Sequence, residues 1–293
     1  MEVIFLIFHE VLIRPIITVL VVIYHVLVAL HIPSPLGFSI IILTIFIRFI
    51  TYPLITSQLK TSKKMQELTP HLSKLKEKHK DDATRLQQET MKLYKEHGVN
   101  PVAGCLPSLL QLPIIWGLYN VLQQIVGLTP NSIVAKVNEQ MYLPAFKLTS
   151  PWDPHFFGLS LGQGPSNMLP MDKILTLPTI THLILLVPII TGVLQFLQSK
   201  MMFSKPKASS QDKKLVVKDE SDKKPDDFAS AFQSQSMYIF PVMIGFFSYN
   251  FPVGLSLYWN TFTLFGILQQ YHVAGLGGLG TWKEKIWTKR KKK

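Results

Sequence analysis

Long apolar blocks alternate with strongly charged segments along this chain, and this alternation limits how it can fold. Apolar runs cover residues 36–58, 104–127, 174–197 and 237–273, and none of them contains Asp or Glu. A run of about 20 apolar residues matches the hydrocarbon thickness of a bilayer when it is helical. The pattern therefore predicts an all-α polytopic membrane protein rather than a soluble globular domain.

The charged segments predict how the chain is threaded through the membrane. Residues 59–100 carry ten Lys or Arg, 199–235 carry eight and 283–293 carry seven, whereas 128–173 carry only three. Because Lys and Arg concentrate on the cytoplasmic side, the three basic segments are expected there and 128–173 outside. This distribution accounts for the net charge of +12, and no specific nucleic-acid sequence recognition is expected.

The last apolar run has to fold back on itself under this topology, because both flanking segments are cytoplasmic. Asn-Phe-Pro-Val-Gly at 250–254 supplies a turn, since Pro removes a helix donor and Gly permits unusual backbone angles. Residues 237–251 then span about 22 Å, against a hydrocarbon core of about 30 Å, which implies local thinning or flanking water. The alternative is one strongly tilted helix, which would place the carboxyl terminus outside.

The first 32 residues allow two interpretations. Their apolar stretch from Ile16 to Leu30 is short, and Glu10 and Arg14 interrupt the pattern just before it. This length favours an interfacial helix on the outer surface. A sixth span, with the amino terminus in the cytoplasm, is the alternative.

Two cytoplasmic segments differ in their apolar patterns. Residues 59–100 have leucines at helical spacing on both sides of a charged break, which predicts a helical hairpin with Pro70 inside its first arm. Residues 199–235 have no sustained apolar period and are rich in Lys, Asp, Ser and Pro. This composition is typical of a mobile loop.

Arg48 lies inside the first apolar run, GFSIIILTIFIRFITYPLI. A lone cation there costs from about 3 kcal/mol on insertion scales to more than about 10 kcal/mol in simulations. With no carboxylate in the apolar runs, water is the cheapest partner, which predicts a hydrated cavity. Thr44 is four residues earlier and shares the same helix face. Arg48 snorkelling to the cytoplasmic headgroups is the alternative, and a groove open to the cytoplasm accommodates both.

Other polar residues in the apolar runs are weaker indicators. Gln195 and Gln198 share a helix face, but glutamines and hydroxyl residues commonly join membrane helices by hydrogen bonds. The sequence has no nucleotide-binding, nucleophile or metal-ligand motif. We therefore expect neither enzymatic activity nor a cofactor.

Three stretches carry a family resemblance: GFSIIILTIFIRFITYPL, NPVAGCLPSLLQLPIIWGLYNVL and FPVGLSLYWNTFTLFGILQQY. With these motifs, the chain resembles the YidC membrane-protein insertases and their mitochondrial and chloroplast relatives from about residue 10 to residue 273. The most specific features are Arg48, Asn-Pro-x-x-Gly-Cys-x-Pro entering the second span, and Pro-x-Gly-Leu-x-Leu-Tyr-Trp opening the fifth.

The resemblance implies a five-span insertase core in the bacterial plasma membrane, with the amino terminus outside and the carboxyl terminus in the cytoplasm. The expected segments are an external interfacial helix (1–34), a first span (35–58), a cytoplasmic helical hairpin (59–100), a second span (104–127), an external segment (128–173), a third span (174–198), a flexible cytoplasmic loop (199–235), a fourth span (236–252), a fifth span (254–273) and a basic cytoplasmic tail (274–293).

The resemblance also implies insertion and folding of membrane proteins through a hydrated, positively charged groove open to the cytoplasm and to lipid. Arg48 would be the groove arginine, Thr44 would lie one turn above it, and Tyr258 and Trp259 would form the aromatic side. The predicted groove residues are Arg48, Thr44, Gln195, Gln198, Tyr258, Trp259 and Asn260.

The expected partners are nascent membrane proteins, with the ribosome, the Sec translocon and anionic lipids as further candidates. Two other functional classes remain open from the sequence. A channel or transporter would usually show paired ionisable residues or inverted repeats, and the sequence shows neither. An assembly scaffold would bind other membrane proteins without inserting them.

Overall fold

A computed structural model describes residues 6, 9–80, 82–100, 106–126, 130–169, 184–202 and 225–280. Outside the described residues lie 1–5 and 7–8 of the predicted interfacial helix, 81 in the hairpin, 101–105 and 127 around the second span, 128–129 and 170–173 of the external segment, 174–183 of the third span, 203–224 of the flexible loop and 281–293 of the tail.

The described chain is mostly helical. A π-helical turn, His9–Ile13, leads into the first α-helix. The α-helices are α1 (Arg14–Ala29), α2 (Pro35–Glu67), α3 (Thr69–Lys78), α4 (Ala83–Glu96), α5 (Leu106–Val126), α6 (Pro130–Glu139), α7 (Pro165–Met168), α8 (Leu186–Met202), α9 (Pro225–Asn250) and α10 (Val253–Ala274). A 3-10 turn, Pro144–Phe146, and two short strands, β1 (His155–Phe156) and β2 (Leu159–Ser160), lie between α6 and α7.

Several helix ends differ from the boundaries expected from the sequence. The helix α2 continues past residue 58, because the Lys-rich stretch that follows the apolar run is itself a good helix former. The helix α9 begins at Pro225, inside the predicted loop, where a proline in the first turn and two following aspartates favour helix initiation. Pro70 is in the first turn of α3, so the chain starts a new helix there.

The chain divides into two compact units, of which the first contains Met1–Tyr52, Ser108–Gln195 and Pro241–Phe265. Its core is apolar and draws on α1, α2, α5, α6 and the start of α10. The most deeply buried members are Ile17, Leu20, Val21, Leu36, Ile40, Leu118, Leu122 and Leu161. In this unit α1 is thus packed by one face into the core.

A short β-hairpin lies in the first unit and was not expected from the sequence. Strands β1 and β2 pair antiparallel, with Phe156 opposite Leu159. The connecting residues Phe157 and Gly158 both have positive φ, at 47° and 85°. Positive φ at both central residues is the requirement of a type I′ hairpin turn, and glycine meets it at no steric cost.

The segment after this hairpin caps the first turn of α10. The backbone N–H groups of Val253 and Gly254 donate to the carbonyl oxygens of Gln163 and Leu161, at 2.9 Å and 2.7 Å. A Cβ on Gly254 would lie 3.0 Å from the Leu161 oxygen. The first N–H groups of a helix have no hydrogen-bond partner within it, and unpaired N–H groups are costly in an apolar environment. The carbonyls of Leu161 and Gln163 supply partners for two of them.

The second unit contains Pro53–Pro107, Phe196–Phe240 and Gly266–Lys293. Helices α3 and α4 contact each other in it, and the Asp82 side chain caps α4 by accepting from the Arg85 backbone N–H at 2.9 Å. Gln269 Nε2 donates to Thr56 Oγ1 at 3.0 Å and joins α10 to α2 within this unit.

Two helical stretches of the described residues are long and apolar enough to cross a membrane, namely His9–Ala29 and Pro35–Glu67. Several helices also present large apolar side chains on their surfaces. Val242 is 73% exposed, and Phe49 and Leu112 are each 63% exposed. Exposure of so many large apolar side chains is unfavourable in water and is expected of helices that face lipid.

Candidate functional site

Arg48 is buried on α2, with 2% of its surface exposed. Its Nε and Nη2 atoms both donate to the backbone carbonyl oxygen of Phe262, at 3.1 Å and 2.5 Å. The guanidinium carbon lies 3.4 Å from the centroid of the Phe262 ring. Among the described residues, none of the ion pairs includes Arg48. A buried cation is thus held by neutral groups, which leaves its full charge uncompensated.

Thr44 lies one helical turn before Arg48 and is fully buried. Its hydroxyl donates to the Ile40 carbonyl oxygen at 2.6 Å, within its own helix. This bond uses the hydroxyl proton, so Thr44 can interact with another group only as a hydrogen-bond acceptor.

Tyr258 on α10 is 1% exposed and belongs to the first unit, as does Arg48. Its ring is stacked against Phe262, with centroids 5.9 Å apart and planes 30° apart. Gln111 on α5 donates from Nε2 to the Tyr258 hydroxyl. Phe262 and Gln111 were not among the predicted groove residues. Phe262 is one helical turn after Tyr258, and this spacing is the sequence feature that links the two.

Trp259 and Gln195 form a second group. The indole Nε1 of Trp259 donates to Gln195 Oε1 at 3.1 Å, joining α10 to α8. Gln198 is three residues further along α8, partly buried, and belongs to the second unit. The structure therefore brings Tyr258 close to the Phe262–Arg48 contact and pairs Trp259 with Gln195.

Asn260 and Thr263 provide two buried oxygens on α10. Asn260 Oδ1 and Thr263 Oγ1 have no hydrogen-bond partner within the part of the chain that the structure describes. Buried polar atoms are nearly always satisfied by protein or by water, so each of these oxygens is available to accept a hydrogen bond.

A chain of hydroxyls links three helices beside Trp259. Ser248 Oγ on α9 lies 3.1 Å from Thr191 Oγ1 on α8 and 2.8 Å from Ser256 Oγ on α10. Gly192 and Gly245 let α8 and α9 approach closely, since a Cβ on Gly245 would lie 3.3 Å from the Pro188 carbonyl oxygen. Small residues at a close contact, combined with hydroxyl bonds, are characteristic of helix packing in membranes.

An apolar cavity of about 620 Å³ lies in the first unit. Its lining residues are Leu112, Pro113, Ile115, Trp116, Tyr119, Phe251 and Leu255. This cavity contains none of the predicted groove residues, and its lining is suited to hydrocarbon.

Comparison with known proteins identifies the family. Residues 17–276 match the model of the family described as 60Kd inner membrane protein. Over 241 residues the chain is 32% identical to the membrane protein insertase YidC of Fusobacterium nucleatum, covering 82% of this chain and 87% of that protein. The chain belongs to the YidC family.

Other YidC-family proteins are similarly related. The membrane protein insertase MisCA of Bacillus subtilis is 33% identical over 243 residues, which cover 82% of this chain and 70% of MisCA. A crystal structure of active YidC insertase with its first transmembrane domain resolved is 26% identical, with a TM-score of 0.44, and covers 80% of this chain and 41% of that one. The family-model match and the sequence relatives confirm the family resemblance, and these relatives are named as membrane protein insertases.

Proposed function

We propose that this protein inserts and folds integral membrane proteins, and that Arg48 attracts and solvates the polar segment of an incoming chain. The observation that carries the proposal is a buried guanidinium with no carboxylate partner among the described residues. Such a cation is costly in a membrane, so an arginine at this position indicates a functional role and not a contribution to stability. Relatives of this chain are named as membrane protein insertases.

The mechanism follows from the cost of moving polar groups through lipid. Each unsatisfied backbone group in hydrocarbon costs several kcal/mol. A polar cavity that reaches part-way across the bilayer shortens the distance over which the substrate pays that cost. Arg48 uses two of the five N–H donors of a guanidinium on Phe262, and the others point to no described hydrogen-bond partner. Once Arg48 is reached, these donors would bind carbonyls and carboxylates of the substrate.

Thr44, Asn260 and the Gln195–Trp259 pair would extend the polar path, and Tyr258 would form its aromatic side. The available oxygen of Asn260 can accept from substrate N–H groups, which Arg48 cannot do. Gln198 is included on the basis of its spacing from Gln195. The apolar segment of the substrate would pass along the exposed apolar faces of the helices into lipid.

The partners and topology complete the proposal. The groove would open to the cytoplasm and to lipid, with the amino terminus outside and the basic segments inside. The hairpin and basic tail would meet the nascent chain, the ribosome, the Sec translocon or anionic lipids. Hydrophobic partitioning, translation and the membrane potential would supply the energy, because the sequence carries no nucleotide-binding motif.

The test is insertion of a short single-span substrate into proteoliposomes, measured by protection of its translocated end from protease. The full-length protein should raise the protected fraction above that of empty liposomes, and Arg48→Ala should lower it. Arg14→Ala is the matched control, since Arg14 is another partly buried arginine of the first unit but is paired with Glu10 at 2.8 Å. A protected fraction equal to that of empty liposomes would leave the assembly scaffold as the better explanation.

A further inference from the structure

Phe262 makes two kinds of contact with Arg48. It supplies the carbonyl that accepts both described hydrogen bonds and the ring that lies 3.4 Å from the guanidinium carbon. Arg48 is only 2% exposed, and Phe262 is the residue with the closest described contacts to its guanidinium. A side chain that serves an incoming substrate has to be reachable, so this arrangement is one in which the groove cation is closed off.

The Phe262 ring is held in place from one side. Tyr258 stacks on it at 5.9 Å, and Gln111 fixes the Tyr258 hydroxyl by donating to it. Phe265 is also near the guanidinium, but its ring centroid is 5.9 Å from the Arg48 carbon, and it forms an edge contact with Phe49 at 5.4 Å. Both rings lie within the roughly 6 Å range of a cation–π contact, but Phe262 is much the closer at 3.4 Å and also supplies the accepting carbonyl, so it makes the stronger contact.

A carboxylate is the ligand best able to displace this cover. The hydrogen bonds to the Phe262 carbonyl already use a charged donor, but a carboxylate adds a full negative charge and can accept two parallel N–H bonds, which makes it the stronger partner for a guanidinium. A neutral amide or hydroxyl would only replace one neutral acceptor with another. The covered and open forms therefore constitute a two-state equilibrium that an acidic ligand shifts.

We infer that Phe262 is a positioning residue that closes off Arg48 at rest and yields it to an acidic segment of the substrate. The inference rests on the proposed function, because it names how the same site is regulated. Weakening the contact between Phe262 and Arg48 raises the fraction of molecules in the open form. It should therefore accelerate the insertion of only those substrates that bind Arg48.

The direct test measures access to Arg48 in the full-length protein in liposomes. Phenylglyoxal modifies exposed guanidinium groups, and peptide mass spectrometry reports the modification rate at Arg48. Phe262→Leu keeps an apolar side chain but removes the π face, so the rate should rise about fivefold. Phe262→Trp should keep the rate at or below that of the unmodified protein, and Phe265→Leu should leave it unchanged.

Three outcomes would overturn the inference. These are an equal rate in Phe262→Leu and the unmodified protein, a rise in Phe262→Trp as large as in Phe262→Leu, or a parallel rise at Arg14. The last would mean general loosening, because Arg14 lies over the ring of Tyr142 at 4.3 Å, far from Phe262 in sequence.

The second arm compares insertion of two single-span substrates that differ by Asp or Asn in the translocated segment. Phe262→Leu should insert the Asp substrate about fivefold faster and leave the Asn substrate unchanged; equal changes for both would contradict the inference. If the unmodified protein inserts neither substrate, the proposed function is wrong. The inference about Phe262 is still tested in that case by the modification rates at Arg48.

Discussion

Two contacts made by Arg48 depend on the planar shape of its guanidinium. Two N–H donors converge on one carbonyl, and the flat face lies on the Phe262 ring. Lysine offers a compact point charge and cannot reproduce both contacts. The proposed role with substrate needs only the positive charge. A lysine would therefore lose the contacts with Phe262 and keep the attraction to an acidic substrate.

Arg48→Lys should therefore retain insertion of substrates with acidic translocated segments, while Arg48→Ala should lower it by about tenfold, the loss expected for one charge-assisted hydrogen bond. Protease protection of the matched Asp and Asn substrates is the measurement. Equal losses for both substrates in Arg48→Ala would refute charge attraction. Failure of Arg48→Lys at normal expression would show that guanidinium geometry is required for activity.

The sequence indicated Arg48 as a candidate because an ionisable residue in an apolar run is conspicuous. Phe262 carried no such indication, since one more aromatic residue in an apolar run is ordinary and its contact depends on how α10 is rotated against α2. Gln111 is similar: a glutamine in a span is polar and visible, but its partner Tyr258 is set by packing of α5 against α10. Periodicity identifies a helix face without identifying what lies opposite.

At the scale of helices, the hydroxyl chain of Thr191, Ser248 and Ser256 joins α8, α9 and α10. Ser248 is its centre, because it bonds to both of the others. Interhelical hydrogen bonds in membranes contribute about 0.6 kcal/mol each on average. These hydroxyl bonds therefore contribute modestly to stability and fix the register of the three helices.

Ser248→Ala should lower the free energy of unfolding in mixed micelles by about 1 kcal/mol, because two interhelical bonds are lost together. Ser39→Ala is the matched control, since Ser39 is also buried but its described hydroxyl bond is to Pro35 in its own helix. An equal loss in both variants would mean that the linkage between helices adds nothing.

The first turn of α10 depends on the absence of a side chain at Gly254. A Cβ there would lie 2.8 Å from Leu122 and 3.0 Å from the Leu161 oxygen, which caps this turn. Gly254→Ala should lower the free energy of unfolding by about 1 to 3 kcal/mol through overpacking. Gly117→Ala is the control, because its Cβ would meet Ile13 at an ordinary 3.6 Å. Similar thermal midpoints for the two variants would contradict this account.

The helix boundaries show where sequence reasoning reached its limit. The turn predicted at 250–254 corresponds to the break between α9 and α10, because proline and glycine act locally. The helices α2 and α9 extend beyond the apolar runs, because a change from apolar to charged residues marks a change of environment and not the end of a helix. The β-hairpin at 155–160 is too short for its alternation to be recognised.

For the whole molecule, the distribution of charge carries the proposed topology. A membrane-impermeant thiol reagent should label a cysteine at Ala145 from outside, and one at Lys78 only after the membrane is permeabilised. Both positions are exposed, and both variants would be made in a Cys105→Ser background. Labelling of the two positions from the same side would refute the arrangement expected from the basic segments.

The carbonyls of Leu161 and Gln163 that cap α10 impose an order on the protein's own assembly. They are translated before the amides that they serve, so this cap can form only after the start of α10 has been made. A chain stopped just before Val253 would leave these acceptors without the amides that they pair with. Synthesis of the first turn of α10 thus decides when this part of the first unit can become native.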